Sequence, residues 1–186
     1  MYPYYLLANV LMYDALNDEE IKLILPKICS KVTDKYVREN TCSLLSLLSC
    51  KPAAKAKLVE LEYDLAIFNM LINVCKARLQ KNQTQFTKSP FQRALFNILL
   101  NLTNEKETAN NFITTSMFKQ VIKLAVDTVD IGLLKIINNI TFFADSTEET
   151  KKVGEKFVPF FRDMLKKLWE EQDGAKLQHL VTIFWA

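Results

Sequence analysis

A chain of 186 residues with 49% hydrophobic side chains can bury a continuous core, and its 3 glycines and 5 prolines exclude turn-dense all-β folds and glycine-rich nucleotide-binding folds. The 24 basic and 21 acidic residues leave a net charge of +3, without the steering field of a dedicated nucleic-acid binder. Runs rich in Leu, Lys, Glu, Ala and Ile favour an almost wholly α-helical protein.

In chain order, Leu6, Leu7, Val10 and Leu11 place a first helix over Tyr4 to Tyr13. Asn17 starts the next as N-cap, with Glu20 completing a capping box, and Pro26 is expected to bend or divide it. A loop around Ser30 to Asp34 leads to a helix over Tyr36 to Cys50, ended by Lys51 and Pro52. A short helix around Leu58 and a longer one with Leu65, Ile67, Phe68, Leu71, Ile72 and Cys75 follow. Gln80 to Ser89 is polar and aperiodic and reads as an exposed loop, the core of a loop insertion at about 79–90. Pro90 opens a helix over Phe91 to Thr103, and Asn104 with Glu107 forms the next capping pair. Gly132 to Ala144 is helical, Ser146 with Glu149 caps a helix holding Phe157, Phe160, Phe161, Met164 and Leu168, and Lys176 to Ala186 forms the last helix. The phenylalanines of that penultimate helix are read as core.

One helix recurs along this series. Val10, Leu47, Leu102 and Ile140 each have an aliphatic residue three positions earlier (Leu7, Leu44, Leu99, Ile137) and a small polar one just before (Asn9, Ser46, Asn101, Asn139). The spacings are 37, 55 and 38 residues. Two fall within the roughly 33 to 47 residues of helical solenoids, and the middle one carries about 17 extra. Leu180, Thr182 and Ile183 begin a fifth copy. Each unit reads as a long helix, a short one and another long one, arranged as a single domain over residues 1–186.

That three-helix unit, with its aliphatic-polar-aliphatic signature, resembles the armadillo repeat and more loosely the HEAT repeat. The resemblance implies a right-handed α-solenoid of about four repeats, in which the last helix of each repeat lines a concave groove and its Asn bonds to the backbone of an extended peptide. Carried over by position, the groove residues are Asn9, Ser46, Asn101 and Asn139, with Thr182 in the fifth copy. Peptide-binding members often add a Trp one turn earlier, where this chain has Tyr5, Cys42, Asn97 and Lys135. The glycine that usually precedes the second long helix is missing. An Asn at the recurring position can also bond to the neighbouring helix and fix repeat stacking, so both roles are open.

Nothing here has the pattern of catalysis. His179 has no partner residues at triad or zinc-site spacing, the four cysteines form no CxxC pair, and no GxGxxG or GxxxxGK occurs. No metal or cofactor is expected. Cys42 and Cys50 lie about 12 Å apart along one helix, too far for a disulfide, so free and mostly buried thiols are predicted.

The expected function is a non-enzymatic adaptor or scaffold that binds a protein or peptide partner through Asn9, Ser46, Asn97, Asn101, Lys135 and Asn139. The alternative is a helical-repeat nucleic-acid binder using the basic cluster Lys76, Arg78, Lys81, Lys88 and Arg93. Apolar residues at both ends of the array, Tyr4 and Tyr5 with Phe184 and Trp185, suggest an end interface, through self-association or as a piece of a longer array. Without a signal pattern or an apolar run of spanning length, an intracellular location, cytoplasmic or nuclear, is expected.

Overall fold

A computed structural model describes residues 16–80, 89–172, 174, 177 and 178. Among these residues all regular structure is helical: α1 Asp18–Cys29, α2 Arg38–Leu48, α3 Pro52–Glu60, α4 Tyr63–Gln80, α5 Pro90–Leu102, α6 Lys106–Ile113, α7 Ser116–Thr128, α8 Ile131–Phe143 and α9 Glu148–Glu170. The chain divides into two compact units, residues 1–71 with 86–102, and residues 72–85 with 103–186. The division falls within α4. None of the described helices is long and apolar enough to cross a membrane.

In the first unit α1 packs on α2 and α3, and α2 packs on α5. The capping box at Asn17 forms as expected, the side chain accepting from the Glu20 N–H while Glu20 accepts from the Asn17 N–H. Pro26 does not divide α1, which runs on to Cys29. It sits one turn from the end, where one missing i to i−4 bond is tolerated. α2 starts at Arg38, two residues later than Tyr36, because Asp34 organises the preceding turn: its carboxylate accepts from the Tyr36 N–H and its carbonyl from the Arg38 N–H. The core of this unit includes Ile21, Leu25, Leu45, Leu48, Leu58, Phe68, Leu95 and Leu99, all without solvent exposure. Between α3 and α4, Glu62 turns the chain with a left-handed φ of 56°.

In the second unit α6, α7 and α8 pack on one another and α9 packs on α7. Phe112, Phe118, Val121, Ile122, Leu134, Ile136, Ile137 and Ile140 fill the core. The N-cap of α6 is Glu105 rather than Asn104, and Glu105 makes no side-chain capping bond. At the next junction Thr115 caps α7 by accepting from the Phe118 N–H. The start of α9 also differs: it begins at Glu148, and the Thr147 carbonyl accepts from the Lys151 N–H, which puts the cap on Thr147 rather than Ser146. Phe161, Met164 and Leu168 of α9 are buried, whereas Phe160 is 45% exposed and does not belong to the core.

Candidate partner-binding faces

Burial fixes the register of the recurring helix, and it shifts α2 by one residue. Leu102 and Ile140 are fully buried, but Leu47 is 41% exposed and Leu48 is fully buried. With Leu48 matched to Leu102 and Ile140, the other positions agree as well. Leu45, Leu99 and Ile137 are buried three residues earlier, and Ser43, Asn97 and Lys135 are exposed five residues earlier. The reason lies in composition: Leu44, Leu45, Leu47 and Leu48 offer two aliphatic pairs with the same spacing, and only packing separates them. The corrected spacings are 54 residues (Leu48 to Leu102) and 38 (Leu102 to Ile140). Leu47 therefore stands where the later copies carry Asn101 and Asn139. Cys42 is buried, and the position expected one turn earlier belongs to Ser43.

The two asparagines make the same bond. In the first unit the Asn101 amide Nδ2 donates to the Ser49 hydroxyl at 2.9 Å and approaches Cys50 Sγ at 3.4 Å. In the second, Asn139 Nδ2 donates to the Thr103 hydroxyl at 3.4 Å. Ser49 and Thr103 are each the first residue after their register helix, and both are fully buried. Ser49 Oγ also donates to the Ser46 carbonyl, so one hydroxyl closes its own helix end and receives the amide of the next copy. A buried hydroxyl without partners costs about 1–3 kcal/mol, and this arrangement satisfies both its donor and its acceptor capacity. At the opposite end of the α2–α5 pair, the Arg38 guanidinium lies over the Phe91 ring at 5.1 Å. Contacts between the first residues and between the last residues mean that α2 and α5 run side by side in the same direction.

The side chains left facing solvent differ between the units. In the first unit the outward face carries Ser43 and Leu47 on α2 with Asn97 on α5, all exposed, and Ser46 half-buried. Cys50, just past α2, is also exposed. In the second, Lys135 and Phe142 of α8 are exposed, Phe142 by 62%, with Phe143 against it edge-on at 5.0 Å between ring centres. Asn138 is half-buried, and its Oδ1 is buried without a hydrogen-bond partner. Asn9, Tyr4, Tyr5, Phe184, Trp185 and Thr182 lie outside the described residues, as do His179 and the loop segment 81–88.

The buried thiols are poor nucleophiles. Burial pushes the thiols of Cys29 and Cys42 up to about 12, which keeps them protonated and unreactive. Cys75 is buried too, and all four cysteines are free. Asp64, buried in the first turn of α4, has its pKa raised by desolvation, which its bonds to backbone N–H groups only partly offset. Among the described residues no three His, Cys, Asp or Glu side chains gather into a set that could hold a metal. Sequence pattern marked Asn101 and Asn139, but it missed their acceptors, Ser49 and Thr103; a hydroxyl one residue past each buried register position was the available signal. No family model, curated protein or solved structure matches the chain.

Proposed function

We propose that the chain is a helical-repeat module of the armadillo kind, a non-enzymatic adaptor that binds a protein segment on the outward face of its register helices. The observation that carries this reading is the repeated bond from Asn101 to Ser49 and from Asn139 to Thr103. The same residue of successive copies reaches back to the same residue of the copy before, which is what stacking of equivalent units requires. Since both amide donors are engaged in that bond, partner contact falls to neighbouring positions: Leu47, Asn97 and the free Oδ1 of Asn101 in the first unit, and Lys135 with Phe142 in the second. The alternative as a nucleic-acid binder rests on a basic cluster whose Lys81 and Lys88 lie outside the described residues, and whose Lys76 is hydrogen-bonded to Gln120.

The test compares the unmodified chain with Asn97→Asp and Lys135→Glu variants in a capture experiment from cell extract, after circular dichroism has verified that each variant folds. Both positions are exposed, so folding should be retained. Loss of a captured protein in the Asn97→Asp or the Lys135→Glu variant supports the reading; identical capture by all three chains overturns it. Recovery of nucleic acid that disappears steeply with salt favours the alternative.

A further inference from the structure

α7 turns Gln120, Lys123, Leu124 and Asp127 to one side at spacings of three and four residues, as one helix face requires. Opposite them, within the same unit, stand Lys76, Leu79 and Gln80 of α4, and the two sets enclose an open groove of about 370 Å³. That volume lies at the lower end of ligand-sized sites. Leu79 and Leu124 supply its apolar lining.

The polar groups of the groove are arranged unequally. Lys76 Nζ donates to Gln120 Oε1 at 2.5 Å, which holds the ammonium in place and leaves the Gln120 Nε2 donor unused. Lys22, Lys57, Lys106 and Lys151 each have a carboxylate within reach. Lys76 and Lys123 have none among the described residues, although Asp127 lies one turn beyond Lys123 on the same helix. One end of the groove thus offers two ammonium groups and an amide donor, and the other end a carboxylate.

We propose that this groove binds a short segment of a partner protein in which an acidic residue, an aliphatic one and a neutral or basic one follow in order. From Gln120 to Asp127 the helix rises about 10 Å, the length of roughly three residues of extended chain. The segment places a Glu or Asp carboxylate between Lys123 and the Gln120 amide, an aliphatic side chain over Leu79 and Leu124, and a neutral or basic residue beside Asp127. A phosphodiester backbone fits less well. It needs positive charge along its whole track, and Asp127 repels it at one end. The site is separate from the register-helix face and stands or falls without it.

The probe is a fluorescently labelled peptide of sequence Gly-Glu-Leu-Lys-Gly, blocked at both ends and titrated with the full chain by anisotropy. Saturable binding is expected, lost when the peptide Glu is replaced by Gln and weakened by up to about fivefold in Lys123→Gln, as for one exposed ion pair. Asp127→Lys should shift preference to the peptide Gly-Glu-Leu-Glu-Gly. Lys27→Gln, on α1, should leave binding unchanged. Absence of binding, equal affinity for the Gln peptide, indifference to both Lys123→Gln and Asp127→Lys, or tighter binding of a single-stranded oligonucleotide at the same salt would each overturn the proposal.

Discussion

Asn101 in the first unit and Asn139 in the second occupy the same place on their helices and reach equivalent hydroxyls, yet the bonds differ, 2.9 Å to Ser49 against 3.4 Å to Thr103. The first is shared with Cys50 Sγ. The difference teaches that this backward contact takes either Ser or Thr as its acceptor, and that its length is set locally. It also explains why Leu47 can stand at the same position of α2 without disturbing the pairing of α2 with α5. The bond between those helices is supplied by the following copy's amide and by the hydroxyl at Ser49. Leu47 is left as an outward apolar side chain.

The register that equates the two regions can be broken by one pair of variants. Leu48→Ala should cost about 2–5 kcal/mol, as for a fully buried leucine, and Leu47→Ala about 1 kcal/mol or less. Urea unfolding of both chains checks this, and the opposite order would restore Leu47 as the buried residue and dissolve the match with Asn101 and Asn139.

The first unit also carries Cys29 and Cys42, whose thiols are pushed up to about 12 from an ordinary 9.0. Their folded pKa is raised, so the stability they contribute is fully present below pH 9 and is lost as pH climbs toward about 12. The loss is on the order of 1 kcal/mol per thiol for each pH unit in that window. Unfolding midpoints at pH 8 and pH 10.5 should fall with a shallower slope in Cys42→Ala than in the unmodified chain. In the same native protein a thiol reagent at pH 8 should modify Cys50 well before Cys29 or Cys42, since Cys50 is exposed. Rapid modification of Cys42 would mean that α1 and α2 open readily.

The bond lengths themselves can be compared by double-mutant cycles. Removing Asn101 and Ser49 singly and together should give a coupling of about 0.5–1.5 kcal/mol, and the Asn139–Thr103 cycle a smaller one. Equal couplings would show that the 3.4 Å contact tightens in solution, and a near-zero value for Asn101–Ser49 would remove the stacking role on which the proposed function rests.

Helical class, the capping box at Asn17, Pro90 at the start of α5 and the free thiols were legible in the sequence because each depends on local chemistry or on a single periodicity. The phase of α2 was not. Its four leucines satisfy two registers, and the choice is made by α1 and α5, which come from residues far away in the chain. For the same reason the hydroxyls of Ser49 and Thr103 were not seen as acceptors: a polar residue at a helix end ordinarily reads as a cap or a turn. The α4–α7 groove escaped because its lysines are separated by more than 40 residues, and the sequence grouped Lys76 with its neighbours Arg78 and Lys81 instead of with Lys123.

The smallest expected effect concerns the two junctions that lead into α4 and α7. The second unit enters α7 through Thr115, whose hydroxyl caps the helix in ordinary extended backbone. The first enters α4 through Glu62 at φ 56°, a conformation that costs an L-residue about 1–2 kcal/mol and glycine almost nothing. Glu62 is exposed, so replacing it sacrifices no packing. Glycine also loses about 0.5–1 kcal/mol more backbone entropy on folding, which offsets part of the relief. Glu62→Gly is therefore expected to raise stability by a few tenths to about 1 kcal/mol, read as a higher thermal midpoint, whereas Thr115→Gly should lower it by a few tenths by removing the cap oxygen. A lower midpoint for Glu62→Gly would mean that the strain relieved at the left-handed turn is smaller than glycine's entropy cost.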